Sequence, residues 1–169
     1  MRKEALTQRN VKFYTKQKVS VGTNFYLKLM YTSQYTGNCR ISFNVIERDI
    51  MYHLDFRVSF DSLHYNVLVQ GMQENGAWQG HLESREAMNL VEGDNDVSVT
   101  VGQDYFRVWI NRVKYEENVE VDPARLSRYS NLDIKKTGTC VSFDNEESYA
   151  IFSSGKYKTI EYSIFCQSI

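Results

Sequence analysis

The amino-acid sequence predicts one all-β domain, built as a sandwich or a barrel of short strands. Three observations support this prediction: apolar and polar residues alternate in several segments, turn signals separate those segments, and 14% of the 169 residues are aromatic. Aromatic side chains favour strands because flat rings pack well on a pleated, half-buried surface. A chain of this length can bury the core of a single domain, and no long helical period competes with the alternation.

The clearest strand lies between Tyr52 and Phe60, where every even-numbered residue is apolar and every odd-numbered residue is polar. A period of two places the apolar set on a buried face and the polar set in a row on the opposite face. Taken alone, such a row is more often a solvated face with a weak ion pair, here Asp55 with Arg57, than a binding site. The row consists of His53, Asp55, Arg57 and Ser59. Similar alternation predicts strands at 25–29, 40–45, 96–101, 105–111 and 157–165.

Turn signals lie between the predicted strands. The pair Asn75-Gly76 favours a tight hairpin because both residues readily adopt positive φ angles. This hairpin would join a strand near 65–70 to one that starts near Trp78. Further turns are predicted at 92–95 and 101–104.

The ends of the chain are expected to extend beyond the main domain. Residues 1–13 form the first expected extension and residues 145–169 the second, which the alternation at 157–165 would allow to add a strand. The only proline, Pro123, follows Asp122, so we expect one short helical turn capped by Asp122.

Charge and hydropathy limit the partners. The net charge is −1 and the isoelectric point is about 6.3, so there is no global positive field that would attract nucleic acid. The first twelve residues contain no apolar run like that of a signal peptide, and no stretch approaches the roughly 18 apolar residues of a membrane span. We therefore expect a cytoplasmic protein with no nucleic-acid partner and no membrane insertion.

Cysteine and histidine spacing indicates neither disulfides nor a metal. The cysteines are odd in number, far apart and form no Cys-x-x-Cys, so they match neither a disulfide framework nor a zinc site. The histidines lie on separate segments without the short paired spacing of metal ligands. These residues are Cys39, Cys140, Cys166, His53, His64 and His81. No cofactor is expected.

Catalytic motifs are also missing from the sequence. It has no Gly-x-Ser-x-Gly nucleophile elbow and no glycine-rich phosphate loop. The carboxylate pairs Glu116-Glu117 and Glu146-Glu147 are adjacent in sequence, so their side chains would point to opposite sides of a strand rather than form a glycosidase dyad. A binding protein is expected rather than an enzyme.

Four motifs occur in an order and spacing that resemble the galectin family. That family pairs a His-x-Asn-x-Arg strand with a Val-x-Asn strand and a Trp-x-x-Glu-x-Arg strand. The matching segments here are His53–Arg57, Val69–Gly71, Asn75–Trp78 and Glu83–Arg85. The resemblance continues at 19–29, 40–44, 104–111 and 132–134, so it spans about residues 14–144.

This resemblance implies a two-sheet antiparallel β-sandwich, a galectin-like jelly roll, that binds β-galactosides on one concave sheet without cofactor or metal. It implies synthesis in the cytosol, with secretion that needs no signal peptide. His53 and Arg57 would hydrogen-bond the galactose ring oxygens, and Trp78 would stack on the apolar face of the sugar. Glu83 and Arg85 would reach the 6-hydroxyl and the next sugar. No family motif assigns a ligand to Trp109, which we expect to be a core or hairpin residue.

Three departures from the family pattern bear on these roles. Asp55 stands where the family has Asn, which exchanges a group that donates and accepts for one that only accepts when ionised. Gly71 stands where the second Asn belongs. Glu83 and Arg85 lie five and seven residues after Trp78 rather than three and five, so either residues 79–81 hold an insertion or His81 and Glu83 occupy the family positions.

Two functions therefore remain open from the sequence. The first is a lectin with altered or weakened recognition of glycans that contain β-galactosides. The second is a galectin-fold protein-interaction module that has lost sugar binding and takes a protein partner instead. In either case an edge strand would allow a homodimer, although the sequence does not specify the edge.

Overall fold

The computed structural model describes residues 8–14, 19–34, 37–61, 64–80, 83–126, 131–154 and 157–161 of the chain. These residues form two six-stranded antiparallel sheets, one two-stranded hairpin and one short helix. The predicted all-β class and the two-sheet antiparallel sandwich are confirmed. Within the described ranges, no helix has the length and apolar character needed to cross a membrane.

We call the sheet that carries the polar row the front sheet. Its strands, in hydrogen-bonded order, are β1 (Gln8–Tyr14), β12 (Asn131–Thr137), β3 (Cys39–Ile46), β4 (Ile50–Asp61), β5 (His64–Gly71) and β8 (Ser84–Ala87).

The other sheet, the back sheet, covers the apolar side of the front sheet. Its strands, in hydrogen-bonded order, are β11 (Val113–Lys114), β10 (Phe106–Ile110), β9 (Gly93–Val101), β2 (Asn24–Tyr31), β13 (Val141–Ser154) and β14 (Tyr157–Glu161). The remaining elements are the hairpin strands β6 (Gln73–Glu74) and β7 (Ala77–Trp78) and the helix α1 (Pro123–Leu126).

The core lies between the two sheets, and aromatic pairs join them. Tyr52 of the front sheet stacks on Phe106 of the back sheet with ring centroids 4.4 Å apart, and Phe43 meets Phe25 at 5.2 Å. Such pairs add about 0.5–1.5 kcal/mol each beyond the area that they bury. The even-numbered residues of β4 from Tyr52 to Val58 are all buried, which confirms the predicted inward face of this strand.

Two local predictions, the hairpin and the helical turn, are confirmed. Asn75 and Gly76 have φ angles of 52° and 78°, as the tight turn requires. The hairpin joins β6 to β7, however, and it is β8 rather than the segment at Trp78 that pairs with β5. The amide of Ala124 donates to Asp122 Oδ1 at 3.0 Å, so Asp122 caps α1.

The turn predicted at 101–104 is confirmed, and the turn predicted at 92–95 is shorter than expected, because the chain bends at Glu92 and β9 begins at Gly93. Gly93, with a φ of 88°, already begins β9. The side chain of Asn95 accepts from the Val91 amide and donates to the Val91 carbonyl, each at 2.8 Å. These bonds hold the bend around Gly93, and the chain continues from there as β9.

Both boundaries expected for the extensions fall inside strands. β1 begins at Gln8 and pairs with β12 along its whole length. β13 continues through residue 145, and β14 supplies the strand expected near 157–165. The end segments therefore complete the two sheets, because strand pairing joins residues that are distant in sequence and leaves no mark in local composition.

The expectation that the cysteines form no disulfide is wrong. Cys39 at the start of β3 is bonded to Cys140 just before β13, with the two Cα atoms 6.1 Å apart and a sequence separation of 101. Both residues are buried. The bond joins the front sheet to the back sheet at one end of the sandwich. The two cysteines are far apart in sequence, so their proximity in the fold could not be predicted from their spacing. Cys166 lies outside the described residues.

Trp109 is not a core residue. It alternates in β10 with the buried residues Val108 and Ile110 and is itself partly exposed on the outer face of the back sheet. Of the two expected places, core or hairpin, the second is confirmed, because Trp109 lies opposite Lys114 in the hairpin that joins β10 to β11. The period of two places the odd-numbered residues of β10 outward.

Candidate functional site

The predicted polar row lies on the outer face of the front sheet. Residues directly opposite each other in antiparallel strands share a face. In that register His53 lies opposite Asn44 and Gly71, and Arg57 lies opposite Arg40. The row is therefore one part of a wider polar face that β3 shares with β4.

Asp55 is at the centre of this face and is fully buried. Its Oδ2 atom accepts a hydrogen bond from Arg57 Nε at 2.7 Å and lies 2.9 Å from Arg40 Nη2. His53 Nε2 is 3.6 Å away. Burial alone would raise the pKa of Asp55, but His53 together with the two guanidinium groups outweighs burial and holds that pKa below its ordinary value. The expected pair of Asp55 with Arg57 is confirmed, and Arg40 makes it a three-residue ion network.

His53 is held between a polar neighbour and an aromatic one. Its Nδ1 atom contacts Asn44 Oδ1, and the Asn44 amide nitrogen donates to Ser42 Oγ and to the Asp133 carbonyl, each at 3.3 Å. Because that amide nitrogen is the donor, its oxygen is the acceptor and His53 Nδ1 carries the proton. On the other side the imidazole meets the Trp78 ring edge to face, with centroids 4.8 Å apart.

Trp78 is an exposed aromatic surface on a fixed support. It is 50% exposed and stands at the end of the β6–β7 hairpin. The Asp49 carboxylate accepts from the amides of Asn75 and Gly76 at 2.8 and 2.9 Å, and Arg125 lies 3.9 Å from it. These bonds hold the tip of the hairpin against the β3–β4 connection, so the indole remains beside His53 and presents a face to solvent.

Glu83 and Arg85 are brought to the same face from β8. Arg85 lies opposite Val69, which itself lies opposite Asp55, so Arg85 is two strands or about 9.6 Å from the ion network. Its Nε atom donates to Glu83 Oε1 at 2.7 Å. Both side chains thus stand on the polar face, on the far side of a small apolar strip. The alternative that uses His81 lies outside the described residues.

Gly71 leaves an open space beside the histidine. It lies opposite His53 in the sheet, and a Cβ atom placed there would meet only Trp78 Cζ3, at 4.0 Å. The missing side chain therefore exposes a notch between the polar network and the aromatic ring.

β3 contributes residues to the polar face that were not predicted from the sequence. Arg40, Ser42 and Asn44 all belong to the polar face, and Arg40 and Asn44 contact the row directly. The alternation at 40–45 carries the signal, because the polar residues of that segment share one face. In the described ranges, no group of three or more His, Cys, Asp or Glu residues is arranged to hold a metal ion.

Comparisons with known proteins show the family and the fold of the chain. The family model for galactoside-binding lectins matches residues 7–137. A comparison with curated proteins finds no match. Among solved structures, the galectin LEC-6 of Caenorhabditis elegans is similar, with 20% sequence identity, a TM-score of 0.53 and coverage of 78% of this chain and 95% of that one.

Two more solved structures have the same fold. A variant of human galectin-16 is 18% identical, with a TM-score of 0.58 and coverage of 82% of this chain and 92% of that chain. A tetrameric galectin from the sponge Cinachyrella is 16% identical, with a TM-score of 0.59 and coverage of 80% and 96%. At these identities the likeness establishes the shared fold.

Proposed function

Because the chain belongs to the galactoside-binding lectin family, the galectins, we propose that it is a non-catalytic carbohydrate-binding protein with altered or weakened recognition of β-galactosides. Its ligands are glycans that contain β-galactosides, bound on the polar face of the front sheet beside Trp78.

The exposed indole beside a fixed histidine is the observation that carries this proposal. A sugar has an apolar CH face and a rim of hydroxyl groups, so it needs an aromatic surface together with hydrogen-bonding groups at one edge. Trp78 supplies the surface, and His53 is 4.8 Å away with its ring oriented by Asn44. Arg85 and Glu83 extend the polar edge along the same face.

Weakened recognition follows from the ion network. Arg57 is 12% exposed in its side chain, and its Nε atom donates to Asp55. A donor that is used inside the protein is not available to a sugar oxygen. Asp55 also lacks the amide donor of the asparagine that the family has there, and Gly71 removes a second polar side chain. Each ordinary hydrogen bond that is missing costs about 1 kcal/mol of binding.

The test is a titration with lactose and a small glycan panel, followed by intrinsic fluorescence in a Trp109→Phe background. The chain has two tryptophans, so this background leaves Trp78 as the only reporter. We expect a saturable change in emission at millimolar sugar, about 4 kcal/mol of binding. Circular dichroism verifies that the fold is intact.

Arg57→Ala should abolish the lactose response, because it removes the guanidinium group and leaves the Asp55 carboxylate on the polar face with fewer balancing cations. The matched control is Arg107→Ala, which removes an arginine of the back sheet whose Nε atom also contacts a carboxylate, Glu117, at 3.1 Å. That variant should bind lactose like the parent protein. A response that survives Arg57→Ala would place the sugar elsewhere.

The second candidate is a galectin-fold module that binds a protein partner instead of sugar. The ion network favours this candidate, because the fully buried Asp55 carboxylate binds Arg40 and Arg57 within the protein and so draws both guanidinium groups away from a sugar ligand. If no sugar in the panel gives a saturable response at tens of millimolar while the protein is folded, this candidate replaces the lectin.

The disulfide supports a location outside the cytosol. Disulfides persist in oxidising compartments and are rare where glutathione keeps thiols reduced. The bond between Cys39 and Cys140 therefore favours secretion over residence in the cytoplasm.

A further inference from the structure

A second concave surface lies on the outer face of the back sheet, on the opposite side of the sandwich from the polar face. It encloses a cavity of about 690 Å³. Its lining includes Tyr26, Lys28, Asp96, Ser98, Trp109 and Tyr149. The volume falls within the range of about 300–1,000 Å³ that is typical of small-molecule sites.

Strand register explains the shape of this cavity. Trp109 lies opposite Ser98, Ser98 opposite Tyr26, and Tyr26 opposite Tyr149, so these four residues form one row across four strands. Neighbouring strands are about 4.8 Å apart, which places Trp109 and Tyr26 about 9.6 Å apart with the small Ser98 side chain between them. The result is a slot with aromatic walls and a hydroxyl group on its floor.

One wall of the slot is a double ring. The rings of Tyr26 and Tyr149 stack with centroids 5.1 Å apart and an interplanar angle of 26°. Both tyrosines and Trp109 are partly exposed. Three aromatic side chains that stand on the solvent side of a sheet, instead of in its core, offer flat apolar surfaces to a ligand.

Charged groups line the slot in equal numbers of each sign. Lys28 Nζ lies 2.8 Å from Asp96 Oδ1 and 3.9 Å from Glu147 Oε2, and Arg112 is the second cation of the lining. Because the charges compensate, the lining attracts neither polyanions nor cations strongly. It does provide both donors and acceptors for hydrogen bonds.

We propose that this slot is a second binding site and that its ligand is a neutral saccharide. Aromatic walls suit the CH faces of a sugar, and paired carboxylate and ammonium groups suit its hydroxyls. The site is independent of the front-sheet site, since the two lie on opposite outer faces of the sandwich. A single domain would then hold two glycans on opposite faces and could link them without dimerisation.

The two tryptophans allow a direct test. Trp78→Phe leaves Trp109 as the only tryptophan, so its emission reports on the slot alone. The probes are lactose, maltotriose, cellotriose and tri-N-acetylchitotriose. We expect at least one of them to change the emission of Trp109 saturably and to shift backbone amide resonances of β2, β9 and β10.

Two variants of the slot identify the source of this response. Ser98→Arg fills the floor and should abolish it, whereas Val113→Arg, which adds the same side chain to the exposed neighbouring strand β11, should not. Tyr149→Ala keeps the floor and removes one ring, and should weaken binding roughly tenfold. Arg57→Ala on the front sheet should leave the response intact, so failure of one site is distinguishable from failure of the other.

The proposal is overturned if none of the four saccharides moves the emission of Trp109 or the amide resonances of the back sheet. It is equally overturned if Ser98→Arg and Tyr149→Ala both bind the saccharide with the affinity of the parent protein. Circular dichroism and amide spectra of each variant show whether it is folded, and Tyr149→Ala decides the question if Ser98→Arg does not fold.

Discussion

Replacing Asp55 with asparagine is expected to lower stability and raise affinity for lactose. The carboxylate is fully buried, and its Oδ2 atom lies 2.7 Å from Arg57 Nε and 2.9 Å from Arg40 Nη2. Its Oδ1 atom is buried without a hydrogen-bond partner. The amide keeps one acceptor oxygen but loses the negative charge that balances two cations.

The stability cost is set by how deeply the cations are buried. Breaking a buried ion pair by removing one partner costs about 3–5 kcal/mol. Here the side chains of Arg40 and Arg57 are 25% and 12% exposed, so water solvates part of their charge. The remaining acceptor of the amide replaces part of the interaction as well. We therefore expect the free energy of unfolding to fall by about 1–3 kcal/mol.

The gain in affinity comes from the arginine. The neutral amide has one acceptor oxygen for two arginines and holds Arg57 Nε less firmly than the carboxylate does, so this nitrogen can donate to a sugar oxygen. A hydrogen bond that involves a charged group contributes about 1.5–3 kcal/mol. Since about 1.4 kcal/mol corresponds to a factor of ten, lactose should bind roughly tenfold more tightly.

Urea unfolding and lactose titration measure the two effects. Glu117→Gln is the matched control, because this carboxylate also bridges two cations, Arg107 and Lys114, but does so at the surface. It should change stability by less than about 1 kcal/mol and leave lactose affinity unaltered. Weaker lactose binding by the Asp55→Asn variant would refute the reasoning, since it would mean that the carboxylate itself recognises the ligand.

Three further predictions follow from the same structure. The pKa of Asp55 in the folded protein lies below its ordinary value of about 3.9, so the contacts of this carboxylate add stability that is complete above about pH 3.9 and lost as the pH falls through the folded pKa. Acid unfolding followed by circular dichroism should therefore depend less steeply on pH in Asp55→Asn. Reducing the bond between Cys39 and Cys140, which are separated by 101 residues, should lower the free energy of unfolding by about 2–5 kcal/mol, and an unchanged urea midpoint in dithiothreitol would contradict this. Gly71→Asn should fold normally and strengthen lactose binding by about 1 kcal/mol, with Gly71→Ala as the control that adds only the Cβ atom.

The fold could be predicted from local patterns because a strand with one buried face has a simple period. β4 and β10 show this, since their inward residues are buried as the alternation requires. What local patterns could not give is the long-range pairing. β1 joins β12 across more than a hundred residues, and Cys39 meets Cys140 across 101. Nothing in the composition of either segment marks its partner, so the expected boundaries and the expected absence of a disulfide were both wrong.

The sequence predicted the residues of the candidate site mainly along one strand, β4. Alternation placed His53, Asp55 and Arg57 on one face, and the order of motifs added Trp78. Arg40 was not recognised as a partner of Asp55, because the register between β3 and β4 decides which residues lie opposite each other, and a bulge between Cys39 and Arg40 shifts that register. Only the paired strands reveal that the carboxylate has two arginines rather than one.

The position of Asp55 explains why stability and ligand affinity should trade against each other on this face. Its carboxylate joins Arg40 of β3 to Arg57 of β4, so the same hydrogen bonds that hold the two strands together remove donors from the ligand side. Trp78 stands outside this network and remains half exposed. The aromatic part of the site is thus intact while its polar part is directed inward. A ligand that depends on stacking, and that reaches Arg85 at the far edge for its polar contacts, should therefore lose less affinity than one that depends on Arg57.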